Sequence, residues 1–174
     1  MGFEDFCVLA GLPSAKKYHG SYEQLTKVLQ NYCIQECLGE CLADLFKMIA
    51  VSVVLRNGDA HRKNFCLISD SPEARRGKLA PTFDIVTTTA YLPHDALALT
   101  LDESKKWPDR KRLLRFAEHH CGLQRKQADM ILKEVKHGVR QAQKELAHGV
   151  SHLEGFAAVG RAMEKEWEKG LGDV

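Results

Sequence analysis

Between Leu55 and Phe65 the chain reads Leu-Arg-Asn-Gly-Asp-Ala-His-Arg-Lys-Asn-Phe, and a second acidic site follows at Phe83-Asp84-Ile85. Asp59 and Asn64, separated by four residues in one polar loop, can share a pocket. A carboxylate there can accept or orient the proton of an attacking hydroxyl, and an amide offers a hard oxygen to Mg²⁺. Asp84, brought in by a separate turn, would add the second metal ligand. His61 and Lys63 place hydrogen-bonding or positive groups where charge develops on a transferring phosphate, and they complete the candidate catalytic set with Asp59. Gly58 is expected to supply a turn with positive φ. Two carboxylates, an amide and a histidine converging in this way point to divalent-metal chemistry on phosphate.

The elements that must position these residues follow from the apolar pattern. Cys41 to Val54 is apolar on almost every side and predicts a buried central helix whose end delivers the Asn57-Gly58-Asp59 turn. Phe65–Ile68 and Lys78–Thr82 read as short strands joined by a polar connection ending at Gly77, a hairpin that returns Asp84 to the same place. Upstream, Phe3, Phe6, Cys7 and Leu9 have helical spacing up to Gly11-Leu12-Pro13. Ser21 and Gln24 form a capping-box pattern ahead of a helix from about Tyr22 to Cys33. Downstream, Ala96 to Leu101 suggests an extended segment. Helices are expected from Pro108 to Gly122, along Ala128–Leu146, and from His152 to Trp167, as support with no constellation of their own. The expected architecture is mainly α, with a short β-hairpin carrying Asp84.

Composition narrows the class. A chain of 174 residues with 44% hydrophobic residues is one domain with a real core. A net charge of +2 gives no overall pull toward nucleic acid or membrane. No stretch approaches the roughly 18–20 apolar residues of a membrane span, and the start lacks a basic secretory signal, so a cytoplasmic protein is expected. The cysteines at 7, 33, 37, 41, 66 and 121 form no CxxC pair and read as reduced, buried thiols. Cys33, Cys37 and Cys41 lie on successive helical turns, too spread for one tetrahedral ion. From Lys105 to Arg115 six basic residues face one acid, which reads as a solvated helix face ahead of a nucleic-acid contact.

Asp59-Ala-His61-Arg-Lys-Asn64 resembles the D-x-H-x-x-N catalytic loop of atypical kinases. Together with Leu79-Ala-Pro81, Phe83-Asp84-Ile85 and the upstream Glu4-Asp5-Phe6, Gly11-Leu12-Pro13 and Lys17-Tyr18, it closely resembles the HipA family of bacterial serine/threonine kinases through about Leu101. The resemblance implies the helical C-terminal lobe of a kinase-like fold, with Asp59 as catalytic base and Asn64 and Asp84 holding Mg²⁺ against ATP. It also implies a toxin of a toxin-antitoxin module. Such a toxin phosphorylates a protein serine or threonine, on an aminoacyl-tRNA synthetase in the best-known case, and is restrained by a DNA-binding antitoxin.

No glycine-rich phosphate loop or strand-borne lysine precedes residue 55, so the nucleotide-clamping N-terminal lobe is expected on another segment or a separate polypeptide. Rival readings are a small-molecule or lipid kinase with the same loop, a non-catalytic module that binds an antitoxin or regulator, and a metal-dependent phosphohydrolase. Asp59 and Asn64 taken alone would pass for ordinary turn residues. The register of the neighbouring motifs argues otherwise.

Overall fold

The computed structural model describes the backbone of residues 1–174 and every side chain except that of Ser151. Helix α3, Leu38–Val54, lies at the centre and buries Cys41, Leu42, Leu45, Phe46, Met48, Ile49, Ala50, Ser52, Val53 and Val54. These positions fall on more than one face, so α3 needs cover from several directions. It packs against α2 (Tyr22–Tyr32), α4 (Arg110–His120), α5 (Arg125–His152) and α6 (Ala157–Asp173). The remaining side is closed by a small antiparallel sheet with order β1 (Gly2–Asp5), β2 (Cys66–Ser69), β3 (Lys78–Leu79). Phe3 pairs with Ile68 and Leu67 with Leu79, so the expected hairpin forms and gains a third strand from the N-terminus.

That third strand corrects the expectation of a helical turn beginning at Phe3. The exposed edge of β2 takes Gly2–Asp5 as a partner, and helix α1 is confined to Phe6–Leu9, started by the Asp5 carboxylate, which accepts from Cys7 N at 2.8 Å and Val8 N at 2.9 Å. The capping box at Ser21 does not form either. Ser21 makes no side-chain cap bond, and the Gln24 amide oxygen accepts from the Arg62 guanidinium instead. Pro108 precedes α4 without entering it, because Asp109 caps the helix by accepting from Arg112 N at 2.9 Å. Ala96–Leu101 is extended only to the extent of isolated bridges such as Ser21 to Thr100. Helix α5 continues to His152, so the last helix starts later than expected, at Ala157.

All six cysteines are free, and Cys33, Cys66 and Cys121 are pushed up to about 12, chiefly by burial, which keeps the thiols protonated and unreactive. Among the described residues no group of His, Cys, Asp and Glu is arranged to hold a metal by itself. Nor is any described helix long and apolar enough to cross a membrane. Half of the basic stretch is paired within the fold: Arg110 with Asp129 at 2.7 Å, and Arg112 and Arg115 with Asp102.

Gly170 of α6 lies against the end of α3, where a Cβ would run into the carbonyl of Val54, whereas Gly172 faces open space. Gly170→Ala should lower the unfolding free energy by about 1–3 kcal/mol. Gly172→Ala should be neutral or stabilising by up to about 1 kcal/mol. Paired denaturant melts measure both.

Candidate active site

The site begins where α3 stops. Asn57 N donates to Ser52 O at 2.8 Å and Arg56 N to Val53 O at 3.2 Å, the paired bonds of a Schellman motif, with Arg56 at the left-handed position (φ 57°). The same motif closes α1, and there the left-handed residue is Gly11 (φ 67°), with Leu12 N on Cys7 O at 2.9 Å and Gly11 N on Val8 O at 2.8 Å. A side chain at this position costs about 1–2 kcal/mol relative to glycine. The positive φ expected at Gly58 is thus found at Arg56. Gly58 is glycine for space, since a Cβ would collide with the Asp95 carboxylate and the Ala96 carbonyl.

From this turn the chain runs through Asp59 into a single 3-10 turn, Arg62–Asn64. Core contacts hold it on both sides. Tyr22, fully buried, donates its hydroxyl to Ala60 O at 3.1 Å, and Phe65 packs between Phe6 and Tyr22 with ring centroids 6.2 Å from each. Arg62, 3% exposed, donates through Nε to His19 O at 2.7 Å and pins the preceding Lys17–His19 segment to the loop.

That segment supplies a residue the sequence reading left without a role. Tyr18 donates its hydroxyl to Asp59 Oδ1 at 2.6 Å, a short charge-assisted bond. The bond to Asp59, with a smaller share from burial, pushes the Tyr18 phenol up to about 12. The only earlier sign of it was the Lys17-Tyr18 pair, which carried family resemblance and no chemistry.

The predicted residues are brought together unequally. Asn64 is buried, its Oδ1 accepting from His61 N at 3.2 Å and its Nδ2 donating to Asp84 Oδ2 at 2.7 Å. Asp84 is exposed and itself left-handed (φ 56°), and its carbonyl accepts from Asn57 Nδ2 at 3.4 Å. Asn57 is a second residue the sequence reading did not single out. It also accepts from Asp59 N at 3.0 Å, so one side chain ties the Asp59 loop to the Asp84 turn. His61 is 6% exposed, with Nε2 3.9 Å from Asp59 Oδ1 and its ring edge-on to Tyr18 at 5.0 Å. Burial pushes the imidazole below its ordinary value against the pull of Asp59, so it is neutral at physiological pH. Lys63 is not gathered into this group; its Nζ lies 3.4 Å from Ser14 Oγ.

Two clefts of about 500 Å³ flank the group. One is lined by Tyr18, Gly58, Asp59, Leu92, Asp95 and Lys105. The other, more apolar, runs along α3 past Met48, Val51, Leu79, Pro81 and Ile85. Asp59 lines the first cleft, and Ile85, next to Asp84, lines the second.

A helical body that presents an Asp-x-His-x-x-Asn loop to a hairpin-borne aspartate is the C-terminal lobe of a kinase-like fold. The sequence model of the HipA-like C-terminal domain matches residues 1–143, and the chain belongs to that family. Two proteins of Sinorhizobium fredii strain NGR234, named as candidate kinases, are similar: Y4dM is 31% identical over 59% of this chain and 24% of its own length, and Y4mE is 28% identical over 51% and 21%. The HipA chain of a Shewanella oneidensis MR-1 HipA, HipB and operator DNA complex superposes with a TM-score of 0.75 at 19% identity, covering 98% of this chain and 44% of that one. The chain thus spans about a quarter of the first of these relatives and under half of the solved one.

His61 makes stability depend on pH in a defined sense. Its folded value lies below the unfolded one, near 6.5, so the unfolded state takes up more protons as pH falls through that window. The contribution is complete above about pH 6.5 and is lost on acidification. Urea melts between pH 7.5 and 5 should show His61→Gln losing less stability than the wild type over the same interval.

Proposed function

We propose that this chain is the catalytic lobe of a HipA-like serine/threonine protein kinase toxin that transfers the γ-phosphate of ATP to a protein hydroxyl with Mg²⁺. The observation that carries the reading is the 2.7 Å contact between Asn64 and Asp84, made from the same short loop that presents Asp59. In the proposed reaction the acceptor oxygen attacks the γ-phosphorus as its proton passes to Asp59. The bond from that phosphorus to the β,γ-bridging oxygen breaks, and ADP leaves.

Asn64 and Asp84 are the residues to hold the metal. In this structure Asn64 turns its Nδ2 to Asp84 and its Oδ1 to His61 N, so its amide would have to rotate to offer oxygen to the ion; one carboxylate and one amide oxygen would then make a hard, incomplete donor set, which suits an ion that keeps waters and phosphate oxygens in its remaining positions. Bound there, Mg²⁺ would neutralise charge on the phosphates. His61, neutral and packed beside the bonded Tyr18–Asp59 pair, limits the freedom of the base, and Lys63 has no part in the chemistry. The turn that carries Asp84 also exposes Phe83, Ile85 and Val86, at 38, 36 and 44%. An apolar patch beside the metal ligands supports a second, nucleotide-clamping lobe seated there, supplied by another segment or polypeptide.

By analogy with the HipA, HipB and operator DNA complex, the protein would pair with a DNA-binding antitoxin, and the family resemblance adds a protein target, with an aminoacyl-tRNA synthetase the first to try. Calorimetry with Mg²⁺ and a non-hydrolysable ATP analogue tests the reading. Expected is no measurable binding to this chain alone, and binding once it is joined to the N-terminal lobe of a longer relative, weakened at least tenfold by Asp84→Asn. Robust ATP turnover by the isolated chain would overturn the need for a second lobe, and absence of binding in the joined protein, or indifference to Asp84→Asn, would overturn the kinase reading.

A further inference from the structure

Arg56 is an arginine at a position that favours glycine, and its side chain is 5% exposed. A bulky residue held in the left-handed region calls for a compensating role of the side chain. The guanidinium reaches Asp173, the last residue of α6, through an Nη2 to Oδ2 contact of 2.5 Å, and its Cζ lies 5.0 Å from the centre of the Trp107 ring. Trp107 in turn donates Nε1 to Asp95 O at 3.2 Å, in the wall of the cleft beside Asp59.

A second tie from α6 reaches the Thr87–Thr88 segment, which is itself bonded to that loop. Trp167 donates Nε1 to Thr87 Oγ1 at 2.7 Å, a buried bond. The adjoining Thr88 hydroxyl donates to Arg56 O at 3.1 Å and accepts from Gly58 N at 2.8 Å, stapling both ends of the turn that presents Asp59. The Arg56 guanidinium has Asp173 as its carboxylate, and its Nη1 is buried without a partner, so the ion pair is not redundant.

We propose that α6 is a latch on the Asp59 loop, with Arg56, Asp173 and Trp167 as positioning residues that hold the base in register with Tyr18 and the acceptor cleft. These ties lie in or end on a helix beyond residue 143, where the match to the family ends. The catalytic meaning of the latch rests on the proposed function, but its existence does not.

The test therefore reads loop order in the full chain. Hydrogen exchange of the Gly58 and Asp59 amides is followed by NMR, together with ionisation of Tyr18 at pH 10.5, assigned by its loss in Tyr18→Phe. With the phenol at about 12, roughly 3% is ionised at that pH, against roughly 75% for an ordinary tyrosine near 10. Asp173→Asn and Trp167→Phe should each speed exchange of both amides at least tenfold and raise the ionised fraction of Tyr18. Amides in the middle of α3, such as Ile49, should stay protected, and Asp173→Glu should restore the wild-type behaviour. The latch is refuted if both variants leave Gly58, Asp59 and Tyr18 unchanged, or if α3 loses protection in step with the loop. Failure of nucleotide binding in the calorimetric test would remove the kinase reading and leave these results standing.

Discussion

A helix with almost no polar face has to be enclosed, and the enclosure of α3 is the constraint from which the rest of this structure follows. Each covering element is placed by the need to bury some part of Leu42, Phe46, Ile49 or Val53. That fixes the direction in which α3 ends. Its last turn opens into the Asp59 loop, while the sheet on its flank returns the chain to Asp84. Asp59 and Asp84 come from different elements, yet both are referenced to one rigid rod, which is how a constellation of side chains is kept to narrow tolerances.

The polar interactions then act on a framework already set by packing. Asn57 and Asn64 each bridge the Asp59 loop and the Asp84 turn. Tyr18 and His61 close on Asp59 from the opposite side, one as a donor and the other as a neutral ring in contact. None of these bonds is large by itself. Their value lies in removing rotational freedom from groups that, in the proposed reaction, meet a nucleotide and a hydroxyl in one geometry.

Much of this was legible in the residues. The all-round apolarity of α3, the strand-turn-strand around Gly77 and the loop motif each carry a local signal strong enough to survive folding. Other parts were not, for reasons that lie in long-range contacts. Phe3 has helical spacing, but an unpaired strand edge some sixty residues away takes its backbone. Gln24 has the spacing of a cap and answers instead to a buried arginine at 62. The left-handed position is expected at the glycine, whereas Arg56 occupies it and pairs with a carboxylate at 173. Tyr18, an ordinary loop residue by composition, became visible only when the fold set its hydroxyl on Asp59.

The central claim is that Asn64 and Asp84 together form a divalent-cation site facing the Asp59 loop. Titration of the ¹⁵N-labelled chain with Mn²⁺ tests it directly, because paramagnetic broadening falls off steeply with distance from the ion. The account predicts that the Asn64 side-chain amide and the Asp84 backbone amide broaden first, and that Asp84→Asn abolishes the effect. Broadening centred instead on Asp95 or Asp102, or unchanged by Asp84→Asn, would contradict it.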